Sequence, residues 1–534
     1  MHVPAAHLAN ARLIALAWLA MAGWLGVAGA EVKGLVEPDL FKGGAPLRFQ
    51  LEIPADSLST LRKEPRTYVR ATVRAGTNVL HDVALRLKGR TGSFRSLDEK
   101  PAFTLDLDRF VPAQRLHGLS KIHLNNSVED PSYLHEKLGA ELFRTAGLPA
   151  PRVSHALVEM NGRRLGLYVL KEGFAEEFLA QHFRRTDGNF YEPEPGPGSD
   201  VTGAMRRSSG TGGADGSDLR RLAFAASQTN LSVRWSQLAA VLDTDRFLTF
   251  LAMEVLIGHR DGYGLAKNNY RLYHDPAADR FVFLPGGMDQ LLGRAQFSLQ
   301  PRMAGFVANA VLETPEGRSI YRERMALLFT NSFQVALLTN HVRRWSASLA
   351  SNLSRSEAHA LLRESEDLCE RIERRASEVA RQLAQPEPSR LPFINGSAHL
   401  DGWRAANPPD GGKLDRVGID GRPSLHIQAG PKTSASWRTK VWLEPGRYRF
   451  EARARASGVK ALTFGRTSGV FLSVPGRNGK GAPPLVGDHD WTLLRVEFEL
   501  AKEGAEVELL CNLRAQAGEA WFDLESLRLV RVER

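Results

Sequence analysis

The chain has 534 residues, 43% of them hydrophobic and 24% charged, which is enough for two or three folded domains and excludes a disordered or fibrous protein. Its formal net charge of +10 is spread along the chain without a Lys/Arg block, so no nucleic-acid partner is expected and the surplus reads as a solvated basic surface. The two cysteines, Cys369 and Cys511, have no zinc or haem spacing and fall in different predicted domains, as two buried thiols.

Residues 1–30 read as a signal peptide. Arg12 precedes an apolar run from Leu13 to Ala22, and Ala28-Gly29-Ala30 is a small-x-small cleavage site before Glu31. No later run is long enough to span a membrane, so the mature chain is expected to be exported to a periplasm, a cell surface or the medium.

From Pro46 to Asp108 the pattern is β-rich, with alternating stretches at Leu47–Ile53, Tyr68–Val73 and Val83–Lys88. The last enters Gly89-Arg90-Thr91-Gly92-Ser93-Phe94 and returns through Lys100-Pro101. Such a turn, with a lysine on its return strand, can cradle phosphates through backbone N–H groups and a point charge. Lys121–Leu124 is another strand, and Asp130 or Ser132 caps a helix from Tyr133 to Ala146, closed by Gly147. Strands at Val153–Glu159 and Leu165–Leu170 flank Asn161-Gly162, a strong hairpin signal, and deliver Lys171-Glu172. Between Glu192 and Asp218 proline, glycine and serine dominate, which predicts a mobile loop.

Asp243-Thr244-Asp245 caps a helix from Arg246 to Gly258, and His259-Arg260-Asp261-Gly262 leaves it. Asn268 and Asn269 precede the strand Tyr270–Tyr273, Asp275-Pro276 makes a turn, and Phe281–Leu284 runs to Pro285, with Asp289 beyond. Strands joined by a tight turn are antiparallel neighbours, so Asp261, Asn269 and Asp289 emerge at one end of the hairpin. These oxygen ligands suit a hard cation such as Mg²⁺. Thr314–Leu383 is helical throughout, with alternating Arg and Glu on its outer faces. After the linker 385–392 only strand patterns occur, among them Tyr448–Ala454, Trp491–Phe498 and Ala520–Leu524, spaced as in a β-sandwich.

A helix, an Asp-bearing loop, an Asn, a hairpin and a final Asp resemble the catalytic loop and metal-binding Asp of a protein kinase. The residues more closely resemble the spore-coat-protein-H (CotH) kinase family. That family has an Asn before a Tyr-rich strand, as at Asn269–Tyr273, and then Pro-Trp-Asp-x-Asp and a Gly, as at Pro285–Gly293. Here Gly286-Gly287-Met288-Asp289 keeps only the second Asp. The Lys-Gly-x-Ser/Thr turn, the Lys-Pro strand and the order Asn-Gly, Gly-x-Tyr, Glu are shared as well. The resemblance covers roughly Leu51 to Leu383.

It implies an α+β, two-lobed atypical kinase-like domain over residues 31–384, with a small β-rich lobe to about 185 and a helical lobe after. Asp261 would be the catalytic base or orienting carboxylate, and Asn269 and Asp289 would hold Mg²⁺ or Mn²⁺. Lys100 or Lys121 would steady the phosphates of ATP; a strand lysine followed by a helix glutamate (Lys121, then Glu136 or Glu141) resembles the kinase Lys–Glu pair. Glu172 would contact the nucleotide. Residues 393–534 resemble a carbohydrate-binding, galactose-binding-like jelly roll in which Trp403, Trp437, Trp442 and Trp521 are candidates to stack on sugars. Two functions are thus expected: an exported kinase acting on a protein or cell-envelope acceptor, or a weak or inactive kinase-like scaffold anchored to polysaccharide through its sandwich. Gly287 favours the second, and retention of Asp261, Asn269 and Asp289 the first.

Overall fold

The computed structural model describes residues 40–42, 45–90, 92–194, 199–212, 215–385, 391, 393–443, 445–462, 467–477, 480–500 and 505–532. The predicted signal peptide and most of the predicted linker lie outside the described residues, as does Thr91 of the glycine turn.

The N-terminal strands close into a barrel. They are β1 (Leu47–Glu52), β2 (Val69–Ala75), β3 (Asn78–Lys88), β4 (Ala102–Asp106), β5 (Lys121–Asn125), β6 (Val153–Met160) and β7 (Arg163–Glu172), in the order β1-β2-β3-β4-β5-β7-β6. Closure comes from the parallel pairing of β1 with β6, with Phe49 opposite Val158. Helix α1 (Ala55–Lys63) interrupts the stretch read as β-rich; it buries only Leu61 and links β1 to β2. Alternation sends Phe49, Leu85, Phe103, Ile122, Leu124, Tyr168 and Leu170 into the barrel core. The opposite face of β6 and β7 (Val153, Leu167, Val169) joins a second core shared with helix α2 (His135–Thr145). That helix begins at His135, two residues later than its sequence suggests, and ahead of it the Asp130 carboxylate accepts from the N–H of His135 at 2.8 Å and of Ser132 at 3.0 Å.

The second core continues through α6 (Thr244–Leu256), which follows α3 (Glu176–His182), α4 (Ser217–Ala226) and α5 (Leu231–Val241). Asp243 caps α6 by accepting from the Arg246 N–H. After the short α7 (Tyr263–Ala266), the hairpin of β10 (Tyr270–Asp275) and β11 (Arg280–Pro285) pairs Tyr270 with Pro285 and Asp275 with Arg280. The hairpin extends a sheet begun by β8 (Phe190–Pro193) and β9 (Met205–Ser209). β9 lies inside the stretch predicted as a mobile loop. The reason is local: the apolar Phe190 and Tyr191 put β8 in the sheet, and β8 offers an edge on which Arg206 pairs with Glu192. Helices α8 (Phe306–Glu313), α9 (Pro315–Asn331), α10 (Val335–Ala350) and α11 (Arg355–Leu383) complete this part. The buried Arg375 of α11 donates to the carbonyls of Val255 and Leu256, tying α11 to the C-terminus of α6.

Strands between Ser397 and Arg531 form an antiparallel assembly around the long strand Ala505–Asp523, with its own core. Cys369 and Cys511 are both free and buried. No helix of the described residues is long and apolar enough to cross a membrane.

Candidate active site

Strand register builds one side of the candidate site. Because side chains alternate, the barrel face turned toward the second core carries two cross-strand rows. One is Arg86, Thr104, His123 and Lys171; the other is Lys88, Ala102, Asn125 and Val169. The two ends of the 89–94 turn meet, with the Phe94 N–H donating to the Arg90 carbonyl at 2.8 Å. Gly89 has φ +108°, and a Cβ there would stand 2.9 Å from the Phe94 backbone, so this position requires glycine. The Arg90 guanidinium reaches across to the Asn268 side chain at 3.4 Å.

The facing wall begins with Glu136 on α2. Its carboxylate takes the ammonium of Lys171 on one oxygen and the Met288 N–H on the other, at 2.9 Å. Both charged groups are buried. Burial alone would raise the Glu136 carboxyl; Lys171, the Met288 N–H and Lys88 outweigh it and hold it below its ordinary value. The loop after β11 is pinned as well: His259 Nε2 donates to the Gly287 carbonyl at 3.0 Å, and His135 Nδ1 donates to the Asp289 carbonyl at 2.8 Å.

Asp261 and Asn269 come together, with Asn269 Nδ2 donating to Asp261 Oδ2 at 2.7 Å and Asn268 Nδ2 doing so at 2.8 Å. The segment carrying Asp261 is anchored from below by Glu254, which accepts from the N–H groups of Tyr263 and Gly264 at 2.8 Å each. A Cβ on Gly287 would stand 2.9 Å from the Asn269 Cγ and Oδ1. Glycine at 287 therefore makes the room in which Asn269 turns toward Asp261. Asp289 lies in the field of Glu136, Glu129 and Lys171; burial first, then the two glutamates, push its carboxyl up to about 7.

The other residues singled out from the sequence have partners of their own. Lys100 donates to the Tyr133 hydroxyl at 2.6 Å and lies over the rings of Tyr133 and Tyr168. Lys121 pairs with Asp106 at 3.4 Å. The buried Glu172 is held by Arg152, at 2.7 and 3.1 Å, and by Gln181 at 2.9 Å. The Lys–Glu pair that is assembled is Lys171 with Glu136, its lysine following the helix in sequence rather than preceding it. The signal for it was Lys171 at the end of a hairpin strand; that β7 pairs directly with β5 was not readable. Lys88, His123 and Arg271 were also missed, although Lys88 and His123 alternate onto the same face as their strand neighbours.

Asn269 and Asp289 carry oxygen donors of the kind that suits a hard cation, and the Asp289 carboxyl is raised by burial first and by Glu136 and Glu129 after it. Among the described residues no three His, Cys, Asp or Glu side chains form a metal cage.

In the sandwich, Trp403 and Trp437 are buried and Trp442 is covered by the Arg318 guanidinium at 4.9 Å. Trp521 is half-buried on a sheet face, stacked with His426 at 5.0 Å, in the row Asp415, His426, Trp521, Arg455. His426 bridges Asp415 at 2.6 Å and Glu519 at 2.8 Å.

A family model described as CotH kinase protein matches residues 85–379, more than half of the chain. Inner spore coat protein H of Bacillus subtilis (strain 168) is 24% identical over 298 residues, 52% of this chain and 82% of that protein. Among solved structures, the Helicobacter pylori proinflammatory kinase CtkA is similar over 50% of this chain and 93% of its own, at 7% identity and a TM-score of 0.28. The CBM22-1 xylan-binding domain of Paenibacillus barcinonensis Xyn10C covers 27% of this chain and 99% of its own, at 17% identity and a TM-score of 0.19.

Proposed function

The chain belongs to the CotH kinase protein family, and on that premise we propose that it binds ATP in the cleft between barrel and helices and transfers the γ-phosphoryl group to a protein or cell-envelope acceptor. The observation that carries this reading is the buried Lys171–Glu136 pair, whose glutamate also holds the loop leading to Asp289. Catalysis of this kind is mainly positioning and charge neutralisation. The acceptor hydroxyl forms the new O–P bond, the bond from the γ-phosphorus to the ADP oxygen breaks, and Asp261 receives the hydroxyl proton. Asn268 and Asn269 occupy Asp261 Oδ2, which orients the carboxylate and leaves Oδ1 to meet the acceptor. Lys171, held straight by Glu136, steadies the phosphates. Asn269 and Asp289 would hold Mg²⁺ or Mn²⁺, which neutralises phosphate charge when bound.

Gly287, standing where the family pattern has an Asp, favours a second reading: a nucleotide-binding scaffold that transfers slowly or not at all. In either case export through the leader is proposed, in keeping with the spore-coat name of the Bacillus relative. The face around Trp521, which offers an aromatic ring flanked by hydrogen-bonding groups, is the proposed attachment point for polysaccharide.

The test is nucleotide binding and phosphoryl transfer by the full chain with Mg²⁺ or Mn²⁺, beside Asp261→Asn and Asp289→Ala. Transfer is expected to fall roughly 10²- to 10⁴-fold in Asp261→Asn, as for loss of a positioned base, and to vanish in Asp289→Ala. Binding without transfer by the unmutated chain supports the scaffold, and no binding at millimolar nucleotide overturns both readings.

A further inference from the structure

The kinase-like reading needs cations against the phosphates, and the two lysines singled out from the sequence for that role are otherwise engaged. Lys100 stands in its tyrosine cage and Lys121 is paired with Asp106. Lys88 is differently placed. It is the last residue of β3, so it stands where the strand turns into the glycine-bearing segment 89–94. Its row neighbour on β4 is Ala102, small enough for the lysine stem to cross that strand and reach Asn125 on β5, where Nζ donates to Oδ1 at 2.6 Å. One row over, Lys171 and His123 are direct cross-strand partners.

We infer that Lys88 is a phosphate-binding residue, a second cation beside Lys171 that meets the polyphosphate of the bound nucleotide where β3 ends before Gly89. The inference rests on the nucleotide-binding reading above and adds a residue to it. Lys88 is bonded to a neutral amide, whereas Lys171 is neutralised by Glu136 and Lys121 by Asp106. The charged groups around it are Lys171, Glu136, Asp289 and Arg271. His123 lies on the same face, in the combined field of Lys88, Lys171, Lys121 and Arg271. Burial, then repulsion from Lys171, draws the Lys88 ammonium down to about 7, so an anion brought against it restores what the surroundings withhold. An ammonium offers three donors and no acceptor, which suits it to a phosphate oxygen as a point charge.

The experiment compares the affinity of the full chain for ATP, ADP, AMP and adenosine, with Mg²⁺ and with a chelator, in the unmutated protein and in Lys88→Met, Lys88→Arg, Lys100→Met and Lys121→Met. Thermal unfolding is followed in parallel. In Lys88→Met the affinity for ATP is expected to fall roughly 10- to 100-fold, the scale of one charge-assisted hydrogen bond. The loss should shrink from ATP to AMP and vanish for adenosine, Lys88→Arg should recover part of it, and Lys100→Met and Lys121→Met should bind ATP as the unmutated chain does. Unchanged ATP affinity in Lys88→Met overturns the inference while leaving the kinase-like reading intact. So does an equal loss for adenosine and ATP, the mark of a structural role. If the unmutated chain binds none of the four ligands, both fall together.

Discussion

The cleft face of the barrel and the Trp521 face of the sandwich are both rows of polar side chains on antiparallel strands, yet they are completed in different ways. In the sandwich, Asp415, His426, Trp521 and Arg455 belong to one sheet, so hydrogen-bonded register alone assembles the row. In the candidate site, the sheet supplies chiefly the cations, Lys88 and Lys171. The carboxylates that answer them, Glu136 on α2 and Asp289 after β11, arrive from segments far away in the chain. The first face exists wherever its sheet exists; the second exists only when barrel and helices are packed together. A site of the second kind is exposed to any change that loosens packing.

The largest expected effect is in Glu136→Ala. It leaves the Lys171 ammonium buried without its carboxylate and the Met288 N–H without its acceptor, so a loss of about 3–5 kcal/mol is expected. This is read as a lower denaturant midpoint at unchanged slope. A loss below about 1 kcal/mol would show that packing of the two walls does not rest on this pair.

Gly287→Asp places a side chain against the Asn269 amide, 2.9 Å from its Cβ position, and about 1–3 kcal/mol is expected from the forced shift. Transfer should fall with it as Asn269 leaves Asp261. Faster transfer with Mg²⁺ would instead identify the glycine as a missing cation ligand.

On the sandwich face, His426→Ala removes the bridge between Asp415 and Glu519, whose side chains are 37% and 39% exposed. The bridge itself is screened by solvent at both carboxylates, but His426 is buried and stacked on Trp521, so a stability change of about 1–2 kcal/mol is expected. Retention on polysaccharide resins should drop while nucleotide affinity is unchanged. A destabilisation as large as that of Glu136→Ala would erase the contrast between the two faces.

The smallest effect concerns Lys100. Burial draws its ammonium from the ordinary 10.5 down to about 8, so between these values the folded chain binds fewer protons than the unfolded chain. Stability therefore rises with pH through that window. In Lys100→Met this part of the rise should be absent from melting temperatures measured at pH 8 and pH 10.

Much of this architecture was legible in local pattern. Alternation placed β3, β5, β6, β7, β10 and β11, Asn161-Gly162 announced the hairpin of β6 and β7, and Asp243 capped the helix that its position predicts. The meeting of Asn269 with the segment leaving β11, whose Gly286 N–H donates to the Asn269 carbonyl at 2.7 Å, followed from a hairpin's antiparallel geometry. These are short-range consequences of backbone geometry, and the sequence by itself determined them. It also determined which face Lys88, His123 and Lys171 occupy, since a period of two leaves no choice.

What it could not determine is which segment comes over that face. The lysine that pairs with Glu136 lies after the helix because β7, not a neighbour in sequence, pairs with β5. Lys100 stands against the rings of Tyr133 and Tyr168, contributed by two other elements. Gly287 looks like a lost carboxylate in one dimension; in three it is the space that Asn269 fills. Periodicity sets the direction of a side chain, but its partner is set by how sheets and helices bury their apolar faces together, and that only the tertiary structure decided.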